Sequence, residues 1–274
     1  MAPQASARKG RRGWRVMLRY GLIASGVSVI LASGIYGSQR FQQFMIRDPR
    51  FFLSGPPDYG LESPNLEVLG IKYASRAQIL HVFEHDYGRS LYLFPLAERR
   101  KALLDIKWVH DAAVSRIWPN RILVRVSERQ PAAFVKLPAG NIARWALIDD
   151  EGMILEPPPK ASFKLPVLAG VLSNESADKR GTRVRRMQRM MKELGAFADR
   201  VSEVDVTDLD NLKITEQADG RALSLVLGDH NFSSRVQNFL EHYADIHRRM
   251  PQATTFDLRL DDRITGSEAN TDAR

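Results

Sequence analysis

The stretch Tyr20–Gln39 contains no charged residue, and it constrains the architecture of this chain more than any other feature. As an α-helix rising about 1.5 Å per residue it would be about 30 Å long, which matches the hydrocarbon core of a bilayer. The stretch therefore predicts a transmembrane anchor over residues 20–39. The side chains expected to span the membrane are Tyr20, Leu22, Ile23, Val27, Val29, Ile30, Leu31 and Ile35.

The charges before this stretch predict its orientation. Residues 1–19 contain six basic residues and no acidic one, and such an excess keeps a segment in the cytoplasm. The arm 1–19 is therefore expected in the cytoplasm and everything after Gln39 on the other side. A cleaved signal peptide, with an apolar region over 22–32 and cleavage at Ala32-Ser33-Gly34, is the alternative. The apolar run continues to Tyr36, which favours an uncleaved anchor.

Composition narrows the classes of function that remain. The net charge of +8 comes mainly from the arm, because 34 basic residues face 32 acidic ones outside it. A basic arm beside a membrane suits anionic lipid, and the near-neutral remainder argues against nucleic-acid binding. The chain has no cysteine, which excludes disulfides and thiolate metal sites. A hydrophobic content of 44% is enough for folded cores, and the exported length fits two domains.

Proline- and glycine-rich positions divide the exported part into a linker, two domains and a tail. Asp48-Pro49, Gly55-Pro56-Pro57 and Ser63-Pro64 mark residues 40–63 as a linker. Residues 64–131 then predict the order strand, helix, helix, strand, strand. The first helix is capped at Ser75 and the second opens at Pro95. The strands are expected at 65–70, 109–117 and 122–126.

Residues 132–265 predict a mainly antiparallel β domain with two helices, so the fold class of the chain is α+β. The helices are expected at 179–197 and 232–250. The tail 266–274 is short and polar and is expected to be disordered. The strands are expected near 133–135, 145–148, 153–155, 165–170, 201–206, 212–215, 223–227 and 254–260.

One short motif matches the pattern of a catalytic metal site. His81, Glu84 and His85 match H-x-x-E-H, a zinc-hydrolase pattern, on a predicted helix where residues four apart share a face. No further ligand is evident, and Val82 and Phe83 belong to the apolar stripe, which turns the histidines toward the rim. We therefore expect no metal, no cofactor and no catalytic residues. A membrane-anchored zinc hydrolase stays the less favoured alternative.

Three charged segments need a structural or functional interpretation. The helix over 179–192 is strongly basic and is either a solvated face or a site for an acidic partner or anionic lipid. Asp149, Asp150 and Glu151 stand at a hairpin turn, where acidic residues favour the local backbone geometry. The acidic residues between 205 and 216 lack the spacing of an EF-hand loop and are expected on a solvated rim.

Several segments together are similar to a known family. The run WVHDAAVSRIWPNRILVRVSERQPAAFV (108–135) resembles the end of a POTRA domain in the FtsQ/DivIB family of bacterial division proteins. SPNLEVLG, SRAQIL, LIDDEGMIL and the DLR of 257–259 resemble that family too, over about 63–264. The order of basic arm, single anchor, POTRA domain and β domain is also the family's.

The resemblance implies a non-enzymatic scaffold of the divisome. It implies an inner-membrane anchor with periplasmic domains at the division septum, where the protein would help to control septal peptidoglycan synthesis. The implied partners are an FtsB/FtsL-like coiled-coil pair, with FtsK- and FtsW/FtsI-like proteins as further contacts, and no small-molecule substrate. A POTRA-type component that chaperones polypeptides in transport is the alternative.

The last predicted strand is the candidate partner site. Phe256, Leu258 and Leu260 alternate with Asp257 and Arg259, as in a half-buried strand. As the final strand it is expected at the edge of its sheet, where open N–H and C=O groups accept a partner strand. The resemblance implies that FtsB binds around this strand and the preceding helix.

Overall fold

The computed structural model describes residues 10–56, 63–139, 142–159, 161–218, 220–260 and 263–268. Within these ranges the chain forms helices and strands in an α+β arrangement. The helices are α1 (Gly10–Arg47), α2 (Arg76–His81), α3 (Leu96–Leu104), α4 (Ala177–Leu194) and α5 (Phe232–Arg249). The strands are β1 (Leu66–Leu69), β2 (Val109–Ile117), β3 (Arg121–Glu128), β4 (Pro131–Ala139), β5 (Ile142–Asp149), β6 (Ile154–Leu155), β7 (Val167–Ala169), β8 (Val201–Asp205), β9 (Leu212–Ala218), β10 (Arg221–Gly228), β11 (Thr255–Asp257) and β12 (Thr265–Ser267).

The first helix is longer than the predicted anchor. Residues 40–47, expected as the start of a linker, continue α1 to Arg47. They contain no proline or glycine, and the first breaker is Asp48-Pro49, where the helix ends. The Asp48 side chain accepts a hydrogen bond from the Arg50 N–H at 2.9 Å and so opens a short 3-10 turn. Residues 57–62 of the expected linker lie outside the described residues.

The smaller sheet has the strand order β1-β3-β2, and with α2 and α3 it confirms the order predicted for a POTRA domain. β1 pairs in parallel with β3, with Leu66 opposite Ile122. Alternation along β3 buries Ile122 and Val124 completely and leaves Arg125 exposed. The Ser75 hydroxyl accepts the Gln78 N–H at 3.4 Å, at the predicted start of α2.

The larger sheet has the order β12-β11-β10-β9-β8-β7-β4-β5-β6. Most neighbouring pairs are antiparallel, and β7 joins β4 and β8 in parallel. Apolar residues of this sheet share one core with α4, through Val184 and Met187, and with α5, through Val236 and Phe239. The predicted α+β class, with a mostly antiparallel sheet and two helices, is confirmed.

The end of the chain differs from the prediction in two ways. β11 covers only Thr255–Asp257, and the sheet continues beyond it, because β12 pairs antiparallel with β11. Residues 266–268 of the expected tail are therefore ordered, two of them in β12. The remainder of that tail, 269–274, lies outside the described residues.

Candidate partner-binding site

The predicted site residues are divided between the core and the surface. Phe256 is 1% exposed and Leu258 2% exposed, and both belong to the core of the larger sheet. The Phe256 ring lies 5.1 Å from that of Phe239 on α5. Because α5 covers this side of β11, any contribution of these two residues to a partner site is made from the core.

Asp257 and Arg259 stay near the surface but bind each other. Arg259 Nη2 lies 2.6 Å from Asp257 Oδ2, and the Arg259 N–H donates to Asp257 Oδ1 at 3.0 Å. This hydrogen-bonded guanidinium lowers the pKa of Asp257 below its usual range. Arg259 Nη1 also donates to Asn211 Oδ1 at 2.8 Å, so the segment after β11 is tied to the loop before β9. The pair therefore fixes the chain locally and still presents charge to solvent.

Arg235 of α5 is a position that the sequence reading missed. It is 8% exposed, and its guanidinium donates to the Leu227 carbonyl at 2.5 Å and to the Arg259 carbonyl at 2.9 Å. One side chain thus joins α5, the end of β10 and the segment after β11. An arginine on an amphipathic helix is usually a surface residue, so no local pattern indicated this role.

Leu260 is the exposed member of the predicted set, with 52% of its surface accessible. It lines a shallow pocket of about 270 Å³ together with Ser234 and Asn238 of α5 and with Ile264. Leu260 therefore offers apolar surface beside α5, directly before β12. Leu240 is also exposed, at 40%, but it lies two residues after Asn238 and so on nearly the opposite side of the helix.

β12 is the outer strand of the larger sheet among the residues that the structure describes. Thr265 and Ser267 are exposed, while Gly266 packs so that an added Cβ would lie 3.1 Å from the Phe256 ring. The Ser267 carbonyl accepts the Thr254 N–H at 3.1 Å and so points toward β11. Because backbone groups alternate in direction along a strand, the N–H and C=O of Gly266 point outward. The open sheet edge thus lies one strand beyond the predicted one.

The basic side of α4 has a structural role that neither expected alternative included. Arg180 donates to the Gly152 carbonyl at 2.8 Å, Arg183 to Val206 at 2.5 Å and Arg186 to Asp229 at 2.8 Å. Spaced three residues apart, these arginines bind the carbonyls of three loops. Lys179, Arg189 and Lys192 are exposed and retain the two original alternatives, solvation or partner binding.

The acidic hairpin turn holds its own backbone. Asp149 Oδ1 accepts the N–H groups of Glu151 at 3.1 Å and Met153 at 2.7 Å. Arg129 Nη1 binds both carboxylates, at 2.8 Å from Asp149 and 2.6 Å from Glu151, and this contact lowers the pKa of Glu151. Gly152 closes the turn with φ +81°, which favours glycine. The arrangement supports the predicted turn.

The H-x-x-E-H residues do not share a helix. α2 ends at His81, and Glu84 and His85 belong to a 3-10 turn that follows. The helical geometry expected for two zinc ligands is therefore wrong. His81 Nδ1 instead lies 2.6 Å from Glu84 Oε2 at the surface. Within the described ranges, no group of three or more histidine and acidic side chains is placed to hold a metal.

The expected membrane-spanning residues all lie on α1 with exposed side chains. The eight are between 50% and 71% accessible, the least being Val27 and the most Ile30. Residues 17–47 have a hydropathy of 1.5 in their most apolar window, and none of that window is buried. By length and composition this helix is able to cross a membrane.

Comparison with known proteins connects both sheets to one family. The family described as "POTRA domain, FtsQ-type" matches residues 64–129, and "Cell division protein FtsQ/DivIB, C-terminal" matches 140–259. The chain belongs to the FtsQ/DivIB family of cell division proteins. In this FtsQ/DivIB chain the second match ends at Arg259, so β12 lies beyond it.

Curated proteins named "Cell division protein FtsQ" are similar to this chain in sequence. The protein of Koribacter versatilis is 36% identical over 209 residues, which cover 74% of this chain and 59% of the relative. That of Novosphingobium aromaticivorans is 29% identical over 207 residues, which cover 76% of this chain and 61% of the relative. That of Coxiella burnetii is 27% identical over 174 residues, which cover 62% of this chain and 64% of the relative. The chain thus spans about three fifths of the length of these FtsQ relatives.

Proposed function

We propose that this FtsQ/DivIB family chain is a non-enzymatic scaffold of the divisome. The arm 1–19 lies in the cytoplasm, residues 20–39 cross the inner membrane, and 40–63 lead to a POTRA domain (64–131) and a β domain (132–265) in the periplasm. At the septum it recruits an FtsB/FtsL-like coiled-coil pair, contacts FtsK- and FtsW/FtsI-like proteins, and so helps to control septal peptidoglycan synthesis. Family membership and the apolar helix support this proposal.

The partner site that we propose is the open edge of β12 together with the exposed side of α5. The observation that carries it is the outward backbone of Gly266, which has no neighbouring strand on that side among the described residues. A partner segment added there gains main-chain hydrogen bonds, and Leu260 supplies an apolar contact. α5 ends in His247, Arg248 and Arg249, which favours an acidic partner.

Of the five residues predicted from the sequence, we retain Leu260 as a contact and Arg259 and Asp257 as a charged rim. Phe256 and Leu258 support the site from the core. Weak edge contacts suffice in this scheme, because a chain and a partner anchored in one membrane meet at a raised effective concentration.

A proline at the outer strand tests the site. Ser267→Pro removes an N–H that faces β11 and so disrupts the pairing of β12 itself, whereas Ser267→Ala keeps it. We expect Ser267→Pro to abolish co-purification of the FtsB-like partner and Ser267→Ala to leave it unchanged, with both chains folded by circular dichroism. Equal partner capture by the two variants would exclude β12 as the binding edge.

The cellular role is tested by localisation and depletion. A fluorescent fusion is expected at the division site, and depletion is expected to give filamentous cells that the wild-type chain rescues. An even distribution around the membrane together with normal division would contradict the scaffold proposal.

A further inference from the structure

The end of α1 carries aromatic residues at a defined height above the expected membrane core. Phe44 lies five residues after Gln39 on the same continuous helix, which places it about 7.5 Å beyond the end of the apolar stretch. The headgroup region adds roughly 5–7 Å on each side of the hydrocarbon core. The Phe44 ring, 46% exposed, therefore lies at the outer boundary of the lipid headgroup layer when 20–39 span the bilayer.

Two ring contacts connect this level to the turn between β2 and β3. The Phe44 and Phe51 ring centroids are 5.6 Å apart at 76°, and those of Phe51 and Trp118 are 5.9 Å apart at 79°. Trp118 stands at the tip of the turn and is 49% exposed. The tryptophan is therefore linked to the end of α1 through the Phe51 ring.

The helix end is held firmly enough to keep that height. The Met45 side chain is buried, and its carbonyl accepts the Ser90 hydroxyl at 2.7 Å. Leu53 is fully buried, its N–H donates to the Arg89 carbonyl at 3.0 Å, and its carbonyl accepts the Gly88 N–H at 2.8 Å. These contacts join both ends of the segment 45–53 to the segment 88–90.

Exposed side chains of α1 and of the POTRA domain have the chemistry of a membrane interface. Ile117 at the end of β2, Phe41 on α1 and Leu93 are exposed large apolar side chains. Arg40, Arg47, Arg50 and Arg89 are exposed as well, and Asp48 pairs with Arg50. Tryptophan is enriched where an apolar ring meets a hydrated headgroup layer, and exposed arginines suit anionic headgroups.

We propose that the turn at Trp118, with Phe44 and Phe51, docks into the headgroup layer of the leaflet from which α1 emerges. The partner is the phospholipid bilayer itself. The POTRA domain would then be attached to the membrane at the helix and at the hairpin turn, which restricts its rotation about α1. This inference depends on the membrane-spanning part of the proposed function, and on no division partner.

Lipid quenching of tryptophan fluorescence tests the proposal. The full chain is placed in nanodiscs of phosphatidylcholine and phosphatidylglycerol with acyl chains brominated either near the glycerol end or near the methyl end. The signal of Trp118 is the difference between the wild type and Trp118→Phe. The matched control is the same difference for Trp145→Phe, because Trp145 is also 49% exposed.

We expect the Trp118 signal to lose most of its intensity with bromine near the glycerol end and the Trp145 signal to lose less. Equal quenching of the two, no quenching of Trp118, or strongest quenching of Trp118 by methyl-end bromine would overturn the proposal. Retained Trp118 fluorescence would also be the result if another membrane protein were the true occupant of this surface.

A second variant separates this inference from the anchor. Ile30→Trp in the Trp118→Phe background places a reporter in the middle of the expected span. Quenching of that reporter by methyl-end bromine establishes the anchor independently of Trp118. With Ile30→Trp quenched and Trp118 unquenched, only the docking of the turn fails. With Ile30→Trp unquenched, the membrane-spanning proposal fails as well.

Discussion

β11 and β12 are neighbours in one sheet, yet they have opposite relations to the core. β11 contributes Phe256, and the segment after it contributes Leu258, both almost fully buried. β12 exposes Thr265 and Ser267 and packs inward only through Gly266. The strand with the stronger apolar alternation is thus the one that the protein uses for its own stability. The polar strand carries the open edge, because a long apolar edge would invite aggregation.

The largest expected effect is at Leu258. Leu258→Asp places a carboxylate in the core and is expected to cost about 3–5 kcal/mol of unfolding free energy, measured by denaturant titration. Partner binding is expected to be lost with the fold.

Leu260→Asp is the matched control, two residues farther along. It is expected to change stability by less than about 0.5 kcal/mol and to weaken partner binding about tenfold. Similar stability losses in the two variants would break the contrast between core and surface at this end of the sheet.

Arg235 is expected to give the next largest effect. Arg235→Ala leaves the Leu227 and Arg259 carbonyls without this donor, which predicts a loss of about 2–3 kcal/mol in thermal or chemical unfolding. Arg235→Lys retains a charge but not the two-pronged donor, so an intermediate loss is expected. A fully stable Arg235→Ala would show that the segment after β11 does not depend on α5.

Gly266 tests whether β12 packs on β11. A Cβ there would lie 3.0 Å from Met250 Cε and 3.1 Å from Phe256 Cε1. Gly266→Val is therefore expected to cost about 1–2 kcal/mol. Thr265→Val, at an exposed position of the same strand, serves as the control and is expected to be neutral. A neutral Gly266→Val would indicate that β12 is detached in solution.

The smallest expected effect is the pH dependence of the Asp257–Arg259 pair. Arg259 lowers the pKa of Asp257 below 3.8, so the carboxylate stabilises the fold above that pH. This contribution, about 0.5 kcal/mol for a pair near the surface, is lost as pH falls through the lowered pKa. Unfolding of the wild type and Asp257→Asn should differ at about pH 7 and converge at about pH 2–3. A difference that grows on acidification would contradict the assignment.

Local patterns predicted most elements of this fold. Alternation placed β2 at 109–117 and the buried positions of β3, and helical spacing placed α4 and α5 within a few residues of their bounds. The errors came where a pattern was short or continued through a region of changed composition. Residues 40–47 bring back arginine and glutamine after the apolar stretch, but the helix propagates through them because nothing breaks it. Three residues, Thr265–Ser267, are too few and too polar for a periodic signal, so β12 was not predicted.

The sequence by itself determined the apolar helix, the order of elements, the α+β class and the resemblance to the FtsQ/DivIB family, because these follow from local composition and periodicity. Only the tertiary structure decided which strand is outermost, which face of β11 is covered, and what the arginines of α4 and α5 bind. Strand order and side-chain burial depend on contacts between segments far apart in the chain, and hydrophobic alternation is the same whether the covered face meets a helix of the same chain or a partner. The same reason explains Trp118, whose place beside α1 is set by ring contacts that no local pattern records.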